Sequence, residues 1–101
     1  MNKHINDNPV LLESYDELLG LISECTDKEF LKEFFGCLFT AGERNDIAER
    51  WQIVKELRAG TTQREIARKF NMSLCKITRG SREIQKPDSA FVKMHDRLKK
   101  S

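Results

Sequence analysis

The chain has 101 residues, with 18 Lys and Arg against 16 Asp and Glu, a net charge of +2 and a hydrophobic fraction of 39%. These values fit one small globular domain and exclude a disordered or fibrous chain. No apolar run nears the ~20 residues of a membrane span, no leader pattern opens the sequence, and three cysteines without a CxxC spacing support neither a disulfide framework nor a zinc site.

A reducing cytoplasm is the compartment that follows. Charge is unevenly placed along the chain. Residues 1–57 hold 6 basic and 12 acidic side chains, whereas residues 58–101 hold 12 basic and 4 acidic ones. An acidic scaffold attached to a basic working surface is implied, with nucleic acid or an anionic membrane as the partner that composition allows.

Residues 1–10 read as a polar N-terminal arm, and residues 11–101 as a single all-helical domain. Leu11, Tyr15, Leu18, Leu19 and Ile22 recur at helical spacing and predict a first helix. Thr26-Asp27-Lys28-Glu29 has the form of a capping box and opens a second helix with Phe30, Leu31, Phe34, Phe35, Cys37 and Leu38. Thr40-Ala41-Gly42-Glu43 repeats that signature. It begins a long helix to about Ala59 that is expected to bury Ile47, Ala48, Trp51, Val54 and Leu57, with Gly60 closing it. Thr62-Gln63-Arg64-Glu65 starts a short helix, Ser73 caps another through about Gln85, and a last helix begins at Asp88 or Ser89 after Pro87. Six helices and no strand are expected.

Apolar residues surround nearly the whole circumference of the second helix, which requires cover on every side. A chain this small has little surface with which to provide it. A homodimer that shares this helix between protomers is expected, with a dimer core from about residues 11–59 and 88–101.

Residues 62–86 fit a helix-turn-helix. Ile66, Ala67, Phe70, Met72 and Ile77 form its small core, and Asn71 takes the turn position that wants a positive φ. Arg64, Arg68, Lys69, Lys76, Arg79, Arg82 and Lys86 are directed outward, which favours duplex DNA as the partner over a merely solvated basic face. Lys76 lies in the first turn of its helix, where the macrodipole opposes a cation. Gly80 stands inside the recognition helix, where the motif ordinarily has a branched apolar residue, at a cost of ~1 kcal/mol in helix propensity. No pairing of His with Cys, or of two carboxylates, suggests catalysis.

Leu38-Phe39-Thr40-Ala41-Gly42-Glu43-Arg44, Arg50-Trp51-Gln52-Ile53-Val54 and Lys76-Ile77-Thr78-Arg79-Gly80-Ser81 together resemble the tryptophan repressor family of bacteria, over about residues 27–86. The resemblance implies a six-helix, intertwined homodimer with a helix-turn-helix headpiece. It implies a repressor that binds L-tryptophan as corepressor and then double-stranded operator DNA. The corepressor is implied to lie between the long central helix of one protomer and the recognition helix of the other. Arg50 and Arg79 would sandwich the indole, Arg79 and Thr40 would meet its carboxylate, and Gly80 would admit the ring to the backbone. The carbonyls of Cys37 and Phe39 would accept from its ammonium. On the DNA side, Arg64 would reach a guanine, Cys75, Lys76 and Thr78 would face base edges, and Gln63, Ser73 and Arg82 would face phosphates. Glu83 departs from the family pattern by replacing a small residue near the ammonium, where it either pairs with the ligand or crowds it out. The Gly60–Gln63 connection is one residue shorter than that pattern.

Two other readings stay open on the sequence. One is an ungated or differently gated DNA-binding regulator on the same scaffold. The other is a protein-interaction module that uses the basic face on an acidic partner. A steep salt dependence of duplex binding separates DNA binding from the last.

Overall fold

The computed structural model describes residues 8–100, with side chains for 8–98. The described residues form six α-helices and a closing 3-10 turn, with no strand among them. The expected all-α class with six helices is therefore what is observed. Most of the expected arm lies outside the described residues. The chain divides into two compact units, with the boundary between Thr40 and Ala41.

The first unit contains α1 (Pro9–Ser23) and α2 (Lys28–Leu38). Helix α1 starts two residues earlier than the apolar spacing suggests. Asn8 is extended and its side chain accepts from the Val10 amide, while Pro9 at the first helical position gives up no needed donor. Helix α2 is capped by Asp27 rather than Thr26. The Asp27 carboxylate accepts from the Phe30 amide at 3.2 Å and brings negative charge to the positive end of the helix. Neither helix has a single buried residue. Phe30 is 54% exposed and Leu11, Tyr15, Leu19 and Leu38 are exposed too, so this unit carries apolar faces without a core of its own.

The second unit contains α3 (Ala41–Arg58), α4 (Gln63–Phe70), α5 (Leu74–Gln85), α6 (Ala90–Asp96) and the 3-10 turn Arg97–Lys100. Its core is Ile53, Ile66 and Ile77, with Leu57, Ala67, Phe70 and Met72 packed on it. The helix-turn-helix core is as the spacing predicts. Helix α3 differs, because Ile53 and Val54 are its buried residues while Ile47 and Ala48 are exposed and Trp51 and Leu57 half-buried. The face of α3 that turns inward is the one that meets the headpiece, and Ile53 lies at its centre.

Local chemistry fixes the headpiece. Thr62 accepts from the Glu65 amide at 3.1 Å and Ser73 accepts from the Lys76 amide at 3.2 Å, so both helices are capped as expected. Asn71 is left-handed at φ 54°, which lets the Met72 amide return to the Ala67 carbonyl and turn the chain within two residues. Gly60 has φ +93°, ending α3 in a conformation that other residues resist. Ser89 caps α6, and Arg58 clamps that helix back to α3 through the Val92 carbonyl at 3.3 Å and the Asp96 carboxylate at 2.7 Å.

Glu56 secures the short connection. Its carboxylate accepts from the Thr61 hydroxyl at 2.8 Å and the Gln52 amide at 3.0 Å, and lies 3.5 Å from the Lys69 ammonium on α4. The Thr61 bond above all, helped by Gln52 and Lys69, holds this carboxyl below its ordinary value of 4.5. A lowered carboxyl contributes stability that is complete above the unfolded value and lost as pH falls through the folded one. Glu56→Gln should therefore lower the thermal midpoint at neutral pH. The difference from wild type should shrink progressively once pH drops below about 4.5. A gap that stays constant into acid, measured by circular dichroism, would contradict the role.

Candidate functional site

Helices α3 and α5 cross where α5 has no side chain. A Cβ built on Gly80 would lie 2.8 Å from Ile53 Cγ2, closer than two carbons can stand. Glycine is therefore required by the helix crossing, and the branched residue that the motif ordinarily has would collide with Ile53. In the direction a side chain at position 80 would take, the space is filled by a methyl of Ile53, which is 1% exposed.

Beside this crossing opens a cavity of about 500 Å3, lined by Arg50, Ile53, Cys75, Lys76, Arg79, Gly80, Glu83 and Phe91. Its size falls within the ~300–1,000 Å3 of small-molecule sites. Arg50, Arg79, Gly80 and Glu83 are thus brought together, and all four belong to one chain. Within a single chain, α3 and α5 therefore already share the wall of one cavity. Close contact at Gly80 brings the two helices together within the chain. Ile53 and Phe91 line the cavity without having been singled out from the sequence, where they read only as apolar positions on helices. Cys37, Phe39 and Thr40 belong to the first unit, Cys37 exposed near the end of α2 and Phe39 as its C-terminal cap.

The cavity has a mixed electrostatic character. Arg50 and Arg79 are both exposed, and neither forms an ion pair among the described residues. Arg50 and Asp46, four residues apart on α3, form no ion pair with one another; Asp46 lies 3.5 Å from the Lys76 ammonium. Glu83 supplies the one acid of the wall, and its carboxylate meets Lys86 at 2.9 Å on the rim. Two unpaired guanidinium groups and a carboxylate can hold a zwitterion, and guanidinium planes also attract an aromatic face by up to ~2 kcal/mol.

The basic surface separates into two classes. Arg64, Arg79 and Arg82 are exposed and unpaired among the described residues. Three lysines are engaged: Lys69 with Glu56, Lys86 with Glu83, and Lys76 with both Glu49 and Asp46 on α3. Arg68 lies 3.9 Å from Glu65. Lys76 does not project freely as its position in the motif suggests; its ammonium is 2.5 Å from Glu49 Oε1 and 3.5 Å from Asp46 Oδ1. Glu49 in particular raises its pKa above the ordinary lysine value. Ser73 and Cys75 are exposed at the start of α5. Gln63 and Thr78 are half-buried and bonded to one another, the Thr78 hydroxyl donating to Gln63 Oε1 at 3.0 Å. Asp46 and Glu49, spaced three apart on α3, could have been noticed as an acidic pair on one helix face, but nothing in the sequence shows that Lys76 lies above them.

The family model described as Trp repressor protein matches residues 13–99. Among curated proteins, a Trp operon repressor homolog of Chlamydia trachomatis serovar L2 is 38% identical over 78 residues, covering 76% of this chain and 83% of its own. A Trp operon repressor homolog of Chlamydia caviae is 40% identical, with 76% and 77% covered. One from Xylella fastidiosa strain M23 is 30% identical, with 72% and 80% covered. No solved structure gives a significant match.

Gly80→Ala tests the crossing. Helix propensity favours alanine by up to ~1 kcal/mol, whereas overpacking against Ile53 costs ~1–3 kcal/mol, so the substitution should destabilise. In an Ile53→Leu background, which removes the Cγ2 methyl at nearly constant volume, the same substitution should become neutral or stabilising. Equal effects in the two backgrounds, read from urea unfolding, would remove the contact as the reason for glycine.

Proposed function

The chain belongs to the Trp repressor family, a family of DNA-binding transcriptional repressors rather than enzymes, and from that premise we propose that L-tryptophan gates it as corepressor. The observation that carries this reading is the cavity at the α3–α5 crossing, where unpaired Arg50 and Arg79 face the same space as Glu83. Arg79 takes the ligand carboxylate, Arg50 and Arg79 enclose the indole, and Glu83 accepts from the ammonium. Phe91 and Ile53 supply apolar wall. Cys37, Phe39 and Thr40 keep the roles that the family resemblance implies for them.

Gating follows from where the cavity lies. One wall is the scaffold helix α3 and the other is α5, the recognition helix of the headpiece. A ligand that bridges them favours one tilt of α5, and it raises DNA affinity by the difference in its affinity for the two tilts. The protein acts in the cytoplasm on double-stranded operator DNA. Arg64 reads a guanine there, and Cys75, Lys76 and Thr78 face base edges. Gln63, Ser73 and Arg82 face phosphates.

A homodimer is the assembly this reading requires, and the absence of any buried residue in α1 or α2 supports it. Sedimentation at micromolar concentration should give about twice 11.8 kDa, with thermal unfolding that depends on protein concentration. A cooperatively folded monomer at that concentration would contradict the assembly.

Calorimetric titration without DNA tests the ligand. Wild type should bind L-tryptophan and discriminate against indole propionate, which lacks the ammonium; Glu83→Ser should weaken the amino acid and narrow that discrimination. Mobility shifts with a duplex should strengthen when L-tryptophan is added. Stronger binding by Glu83→Ser would make the glutamate a block rather than a partner. Should neither protein bind any indole ligand, the ungated regulator takes the place of this reading.

A further inference from the structure

We propose that Asp46 and Glu49 act as an internal competitor of DNA, holding the Lys76 ammonium on α3 until DNA draws it away, onto a phosphate in random duplex and toward a base edge at a well-docked site. The inference rests on the DNA-binding character of the family and is independent of tryptophan. Lys76 occupies the first turn of α5, the end of the recognition helix that carries Ser73 and Cys75. Every other cation of that helix face is exposed, but the Lys76 side chain is only 34% exposed and folded back on the scaffold helix. Its two acceptors stand three residues apart on one face of α3, both within ion-pair distance of the same nitrogen.

This arrangement differs from a simple structural salt bridge in its charge count. Two carboxylates against one ammonium leave the cluster net negative, so a phosphate that approaches Lys76 meets repulsion for as long as the lysine stays in place. The helix macrodipole already disfavours a cation in the first turn of α5. The carboxylates reverse that preference locally, which the raised pKa of Lys76 reflects. A lysine is suited to the exchange, since its four-carbon stem can move the ammonium between α3 and a phosphate without displacing the helix, where a bidentate arginine would be locked in one geometry. Contacts with poorly fitting DNA then have to be strong enough to break the internal pair. Random duplex is thereby disfavoured relative to a well-docked site.

The test uses the full chain and a random-sequence duplex, with binding followed by fluorescence anisotropy across a salt series. The double variant Asp46→Asn, Glu49→Gln should bind more tightly than wild type. Its plot of log affinity against log salt should be steeper by about one unit, as one released cation gains one phosphate. In a Lys76→Ala background the same two substitutions should leave the slope unchanged. Lys76→Gln, which keeps the stem, serves if the alanine variant fails to fold by circular dichroism. Two results overturn the proposal: a double variant with the wild-type slope, or an equal steepening with and without Lys76, which reduces the acids to a long-range field. Arg82→Ala is the control and should lower the slope by about one unit in every background. A folded chain that binds no duplex and shows no Arg82 effect refutes the DNA-binding reading itself, and the competitor with it.

Discussion

The second unit depends on a single contact, a methyl of Ile53 lodged against the bare backbone of Gly80. It sets how closely α3 and α5 approach, and the remaining features follow from that spacing. Arg50 on one helix and Arg79 on the other come to line the same cavity. Lys76, one turn before Gly80, comes within reach of Asp46 and Glu49, about two turns and one turn before Ile53. Close-packed interiors do not deform continuously, so a contact of this kind defines a distance rather than a range. The glycine that weakens α5 as an isolated helix is what lets α5 dock.

Electrostatics then divides labour by residue type. The arginines of the headpiece that stay unpaired, Arg64, Arg79 and Arg82, carry the planar donors suited to carboxylates, phosphates and guanine edges. The lysines at 69, 76 and 86 are engaged with acids of their own chain. Surface ion pairs of this sort contribute little stability one by one. Their larger effect here is to decide which of many positive charges remain available to an anion. A count of basic residues in the sequence overstates that number.

Local signals were the legible part of the sequence. Ser73, Thr62, Asn71 and Gly60 announce their caps and turns through chemistry confined to a few neighbouring residues, and the structure has all four as the sequence predicts. Ile66 and Ile77 were legible from helical spacing. What was not legible depends on which face of α3 turns inward, because an amphipathic pattern with apolar residues at 47, 48, 51, 53, 54 and 57 is broad enough to permit more than one orientation. The same ambiguity concealed Ile53 as the partner of Gly80 and Glu49 as the partner of Lys76. Glu56 escaped notice because its three partners, Gln52, Thr61 and Lys69, are spread over two helices and the connection between them.

The bond between Thr78 and Gln63 has a consequence for how such a headpiece can change its target. Both residues belong to the proposed DNA-contacting set, and each satisfies the other's polar group across the two helices of the motif. Replacing Thr78 alone removes the hydrogen bond to the Gln63 carbonyl, and replacing Gln63 alone removes the acceptor of the hydroxyl, so a single substitution acts on the scaffold as well as on the proposed readout. Drift toward a new operator is constrained to proceed by matched exchanges at positions 63 and 78. The seam between α4 and α5 is written in two-letter words here, and a headpiece of that kind resists point-by-point change more strongly than the exposure of Ser73 and Cys75 at the start of α5 suggests.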